Sequence, residues 1–492
     1  MNGSKSSIMR VPDITNSPKV MENMKLLKEI PLGEMLIDRF QNQFDVITAN
    51  DIPAVTAMRK EAMNHFISNG FPSSSDEKWR HTEIESLTEE NFQYYLKPLD
   101  SEQDIEDLFK CEVHDFDTEI ISLLNGWYVN KHAGLTTLPN GIVYGSLTNA
   151  MKLYPELFEQ YYGNLADIQV NGFVSVNTAM VQDGVFIYIP DGVYAEKTIQ
   201  IIKLIDKKEQ LFVQNRNLII LGKNSSFSLM HCDDSINHFS SLINTVTEVY
   251  VGENAHFNLY KLQNLNNQSG LINSTFIHQE ANSTTKSNTL TFNGGMIRNN
   301  INIDLQGENA HADVLGLYLM DKNQHVDNQI YIKHNAAHCT SNEKFKGILD
   351  DEASAVFNGY IYVARNAQKT NAYQNNNNIL LTPKATINSM PFLEIYADDV
   401  KCSHGATIGQ LDQEAMFYMR QRGISSSNAR LLLMYAFTAE IINQISIEAL
   451  RKRIDDMVKK RLRGELSVCE KCVLHCGSPD KEYHFEIDMS KI

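Results

Sequence analysis

Two stretches share one opening and then run differently: Gly252–Leu262 reads GENAHFNLYKL, and Gly307–Met320 reads GENAHADVLGLYLM. Each begins with a Gly/Asn turn signal and passes into alternating apolar and polar residues. That is a tight corner feeding a β-strand. The pattern extends outward in both directions. FVSVN, VFIYIP, TIQIIKLI, NLIILG, TEVYVG, INIDLQG, QIYIKH and GYIYVA follow one another from about residue 167 to 409, β-branched and aromatic, with Gly, Asn and Asp between them. Related corners stand at Gly222 (GKNSSF), Asp351 (DEASAVF) and Thr382 (TPKATIN), at steps of about thirty to the mid-fifties. A strand-only stretch of this length with recurring corners predicts a β-solenoid with coils of unequal length. The spacing does not give its hand.

The flanks read differently. Residues 1–20 are polar and read as disordered. Residues 21–166 are helical and then mixed. Apolar stripes through Leu26, Leu36 and Phe40, and through Val55, Met58 and Phe66, close at Gly70 and Pro72, and NGWYVN and GIVYGSL read as short strands. The solenoid is assigned to 167–410, a helical region to 411–464 and a cysteine-bearing tail to 465–492. At 492 residues, two or three folding units are expected. The net charge of −16 argues against nucleic acid as a partner. No apolar run reaches bilayer length and the start has no secretory core, so membrane is excluded as a partner. Seven cysteines make no disulfide framework and fit a reducing cytoplasm. No phosphate-cradling G-x4-G-K-[ST], dinucleotide G-x-G-x-x-G, H-E-x-x-H or G-x-S-x-G is present, so nothing marks a self-sufficient enzyme.

The chain leaves β structure at Asp398–Ile424, DDVKCSHGATIGQLDQEAMFYMRQRGI, with Asp412 as the N-cap of the helix that follows. Cys402 and His404 lie two residues apart. If the last strand runs through them, both side chains share a face. A thiol and an imidazole suit soft and borderline metals; a buried Cys and a satisfied His at a domain corner is the other reading. The eight histidines of the solenoid other than His404 read as surface or turn residues. Cys232 and Cys339 read as small buried hydrophobes, and Asn375–Asn378 as an Asn ladder or a sugar-binding face. The helical stretch Ala429–Asn443 is apolar round most of its circumference and should be buried on several sides. The basic, amphipathic turns after it suit solvent, an anionic surface or a partner helix. In the tail, Cys469, Cys472 and Cys476 with His475 could supply part of a zinc or iron–sulfur site, or be exposed redox-active thiols.

KCSHGATIGQLDQEAMFYMRQRGIS closely resembles the signature of the SufD family of iron–sulfur cluster assembly subunits. Gly70, Phe71, Pro72, Glu77, Trp79 and Thr82 resemble the family's N-terminal Gly-Phe-Pro…Glu-x-Trp…Thr motif. The resemblance implies a right-handed parallel β-helix between helical ends and a non-catalytic scaffold. It implies pairing with a SufB-like solenoid and docking of a SufC-like ABC ATPase on the helical end, through Arg430, Tyr435, Phe437, Glu440 and Ile445. It implies an iron–sulfur cluster or iron, transient and shared with the sister subunit, with His404 and Cys402 contributing; it leaves a flavin open at the level of the complex and a homodimer open for the isolated chain. Two places separate this chain from SufB relatives, which carry Glu where His404 stands and Cys where Ala385 stands. The tail departs from the family pattern. The competing expectation is a β-helix polysaccharide lyase or hydrolase, or another carbohydrate-binding solenoid, which would need paired carboxylates in a groove.

Overall fold

The computed structural model describes residues 18–98, 118–129, 134–235 and 238–463. The protein is mainly β. Two ten-stranded sheets face each other, and the chain passes from one to the other along most of its length. All the long pairings are parallel, as in Gly270–Gln279 between Ser241–Val251 and Met296–Leu305. This is a parallel β-solenoid with helical regions at both ends, as the alternating runs predict.

The corners explain the repeat. Asn224, Asn254, Asn282, Asn309, His338 and Lys369 all have φ between 53° and 65°, and follow one another at 27 to 31 residues. Asn tolerates this left-handed conformation better than most residues. Its side chain also links coils: Asn254 donates to Asn224 at 3.0 Å, and Asn309 to Asn282 at 3.1 Å. The mid-fifties step was therefore two coils. The intervening corner, Glu280–Ser283, lacks the glycine that made its neighbours legible.

Inward positions fill the bore with Ile, Leu, Val and Phe. Outward positions are covered too. Helices Pro31–Asn42 and Pro53–Asn69 pack on one sheet over Phe212, Leu242 and Ile272. Helices Ser426–Ile442 and Glu448–Leu462 pack on the other over Tyr260, Phe292, Leu315 and Leu317.

Several expectations need correction. FVSVN is not a strand: it lies in helix Gly172–Met180, buried at all nine positions. Asn171 caps it by accepting from the amides of Phe173 and Val174, and total burial outweighs the strand preference of its valines. The solenoid sheets begin before residue 167, with Thr118–Leu124 pairing Thr198–Ile205 in parallel. A helix starts at Pro18, inside the segment read as disordered; residues 1–17 lie outside the described residues. His231 and His334 are not surface residues but sit in the bore, with Cys232 and Cys339 also buried. No described helix is long and apolar enough to cross a membrane.

Candidate functional site

Strand Lys401–Gly409 ends one sheet, and Thr386–Ile395 ends the other. Among the described residues each has a neighbour on one side only. Lys401–Gly409 pairs in parallel with Asn371–Leu380, placing Cys402 over Ala372 and His404 over Gln374. Ala372 and Gln374 are buried, inward-facing residues. Cys402 and His404 therefore share the inward side of the last rung, as their spacing requires. Their surroundings differ. Cys402 is half-buried against Ala372, Ala397 and Val400. Burial pushes its thiol up, which keeps it protonated and a poor ligand by itself. His404 is exposed at the open end. Among the described residues no three His, Cys, Asp or Glu side chains converge on a metal position, so this pair would need ligands from outside the described chain.

Beneath His404 the bore turns polar. Glu343, Gln374 and His404 are register partners on three successive coils. The Gln374 amide donates to Glu343 Oε2 at 2.8 Å. Burial raises the Glu343 carboxyl to about 8, which favours its protonated form near neutral pH. On the facing sheet Gly359 leaves room for this pair; a Cβ there would overlap the Gln374 amide nitrogen. In the next columns Asn376 donates to Tyr318 at 3.2 Å, Tyr318 donates to Asn378, and Asn377 reaches Thr407 at 2.8 Å. Asn376 and Asn378 are thus internal, whereas Asn375 and Asn377 lie on the outer face.

The helical end shows what its residues contact. Asp412 caps helix Gln413–Gln421 by accepting from the amides of Glu414 and Ala415. Glu440 binds Lys344 and Lys346 of the solenoid. Lys346 also lies over the Phe437 ring at 4.4 Å. Tyr435 donates to Asp455, and Arg430 lies 3.7 Å from Asp350. Ile445 is fully buried. These five residues hold the helices to the solenoid or to each other. What the chain leaves open is different. Helix Ser426–Ile442 buries one face only, leaving Leu432 and Leu433 half-exposed, and Phe417 and Tyr418 are exposed at 65% and 60%. The expectation of burial on several sides is not met within this chain. Cys469, Cys472, His475 and Cys476 lie outside the described residues.

The N-terminal motif is a docking device. Gly70 ends helix Pro53–Asn69 with φ +74°. Phe71 packs on Phe66 and Phe173, and Trp79 stacks on Phe173 with Arg298 3.6 Å over its ring. Arg298 pairs with Asp327, which also accepts from Thr82. Pro72 is half-buried, and Glu77 is exposed and free of these contacts.

With this geometry in hand, comparison with known proteins is decisive. The family described as "SUF system FeS cluster assembly, SufBD core domain" matches residues 204–437, and "SufBD protein N-terminal region" matches 32–201. A SufBD family protein of Synechocystis is 31% identical over 399 residues, covering 79% of this chain and 87% of the relative. The chain belongs to the SufBD family. The iron–sulfur cluster assembly protein SufD of Escherichia coli is 27% identical, with 82% of this chain and 92% of that protein aligned. SufD of Bacillus subtilis is 24% identical, at 78% and 88%. Membership ties this SufBD chain to iron–sulfur cluster assembly. The matched core takes in both the last strand with His404 and most of helix Ser426–Ile442.

Proposed function

We propose that this chain is the SufD-type subunit of a cluster assembly complex, a scaffold without catalysis of its own. Its open solenoid end pairs with a SufB-like sister, and its helical end docks a SufC-like ATPase. The nascent cluster is cargo, held between the two solenoids with His404 as this chain's ligand and Cys402 as a secondary one. The observation that carries the reading is the position of His404: exposed, on the last rung, at a sheet edge with no neighbour among the described residues. A neutral imidazole there offers a lone pair to a metal whose other ligands come from across the edge.

For the ATPase, the half-exposed Leu432 and Leu433 with Phe417 and Tyr418 form the apolar surface a partner would cover. The tail thiols Cys469, Cys472 and Cys476, with His475, remain a proposed metal or cluster-handling site. Metal content of the triple Cys→Ser variant beside the parent tests it, and equal content refutes it.

The central test co-expresses the chain with its sister and ATPase. His404→Ala is expected to give a complex of normal size and ATPase stimulation without bound iron or labile sulfide; Cys402→Ser is expected to lose less. A His404→Ala complex with the parent's iron would overturn the assignment.

A further inference from the structure

The column beneath His404 shows a feature that the metal reading does not use. Gln374 sits one coil below His404 in direct register. Parallel neighbours lie about 4.8 Å apart, so their inward side chains stack. Gln374 is 3% exposed and its amide nitrogen is committed downward to Glu343. Its oxygen, Oε1, is buried and has no hydrogen-bond partner among the described residues. A buried amide oxygen without a donor is costly, and it is found here one rung below the end of the solenoid. The side chain directly above it in the column is an imidazole, which can supply an N–H. Without a side chain, Gly359 lets the facing backbone close up on the amide, which is held between that backbone and Glu343.

We propose that Gln374 is a positioning residue for His404: anchored by Glu343, its side-chain oxygen accepts a hydrogen bond from the N–H of one ring nitrogen and so leaves the other nitrogen's lone pair facing out of the solenoid. Histidine ligands generally depend on such a second hydrogen bond to fix their tautomer and ring orientation. Glu343 holds the amide nitrogen through Oε2 alone, and its other oxygen makes no hydrogen bond to Gln374 or to any other described residue. The proposal rests on His404 being a ligand for the importance of the lock, but not for its existence.

The two are separated by a measurement that needs no metal. Full-length chain is labelled with 15N-histidine, and the His404 ring signals are assigned by their loss in His404→Ala. The parent is expected to show one dominant tautomer, with widely separated ring nitrogen shifts. Gln374→Met, which keeps length and removes the acceptor, should draw the two shifts together toward those of free imidazole. Glu343→Gln retains an acceptor for the Gln374 amide and should preserve the lock, whereas Glu343→Leu should release it; this pair decides the matter if Gln374→Met does not fold. In the co-expressed complex, Gln374→Met should lower iron several-fold with the sizing profile unchanged. A tautomer mixture in the parent, or shifts in Gln374→Met and Glu343→Leu identical to the parent's, would overturn the proposal whatever the iron content. A lock that behaves as expected while His404→Ala keeps its iron would instead overturn the ligand reading and leave the positioning intact.

Discussion

Single residues inside the bore make this solenoid's stability depend on pH in two opposed ways. Glu343 has an ordinary value of 4.5 and is raised to about 8 in the fold by burial. Between these values the native state keeps a proton that the unfolded chain has lost, so stability falls as pH rises through the window. Lys261 behaves oppositely. Burial lowers it from 10.5 to about 7, with the buried Asp233 opposing and Lys203 adding to the effect. Between those values the unfolded chain holds the extra proton, and stability rises with pH. Melting temperature against pH should therefore show a smaller fall from pH 4.5 to 8 in Glu343→Gln than in the parent, and a smaller rise from 7 to 10.5 in Lys261→Met. Slopes identical to the parent's would mean these groups are solvated. Gly359 is a steric counterpart. Gly359→Ala forces a methyl into the Gln374 amide, and overpacking of this kind costs about 1–3 kcal/mol, read as a lowered denaturation midpoint.

At the scale of elements, the helical end is built into the solenoid rather than appended to it. Arg461, on helix Glu448–Leu462, donates to the Phe292 carbonyl at 2.9 Å, the Leu319 carbonyl at 3.3 Å and Asp321 at 2.7 Å. Arg461→Met should loosen this helix by about 3 kcal/mol, since it leaves Asp321 and two carbonyls without their partner. Faster amide exchange confined to this helix and the strands under it would show this, and unchanged protection would refute it. The same packing bears on ATPase docking. Cutting at Gly423 would strip the cover from Tyr260, Phe292, Leu315 and Leu317, so loss of the ATPase could follow from aggregation alone. Leu432→Asp with Leu433→Asp, on the half-exposed face, should abolish ATPase capture while the sister subunit stays bound. Retained capture would place the docking surface elsewhere.

For the whole molecule, the decisive asymmetry is between the two ends of the solenoid. Near its start, the edges are paired with short antiparallel strands, as Thr118–Leu124 is with Trp127–Val129. At its finish both sheets present a strand with no neighbour among the described residues, carrying Phe392 and Ile408, each 51% exposed. Such edges invite pairing with another chain. The isolated protein should therefore self-associate through this end, and Ile408→Lys should shift it to monomer in sedimentation experiments while weakening capture of the sister subunit. A parent that stays monomeric at high concentration would remove the argument for a sticky edge.

The sequence by itself determined what depends on local chemistry. The corners were readable because Asn tolerates positive φ and because Gly222, Gly252 and Gly307 stand where a Cβ would overlap the neighbouring coil, and the shared face of Cys402 and His404 followed from the two-residue period of a strand. The Asp412 cap was legible for the same reason, its oxygen lying within three residues of the amides it satisfies. What the sequence could not supply depends on distance through space. Strand Leu211–Leu221 is buried at all eleven positions because one side faces the bore and the other is covered, so alternation carries no signal there. FVSVN was misread because apolar, β-branched residues suit a buried helix as well as a strand once tertiary burial pays for both. Glu343, Gln374 and His404 form a column only because each coil between them is 30 or 31 residues long, and that length is set by corners and register rather than by any local motif. The sequence already pointed to the strand through His404 as the last one; that this rung is left open was decided by tertiary structure, since only the stacking of coils says which strand has a neighbour on one side alone.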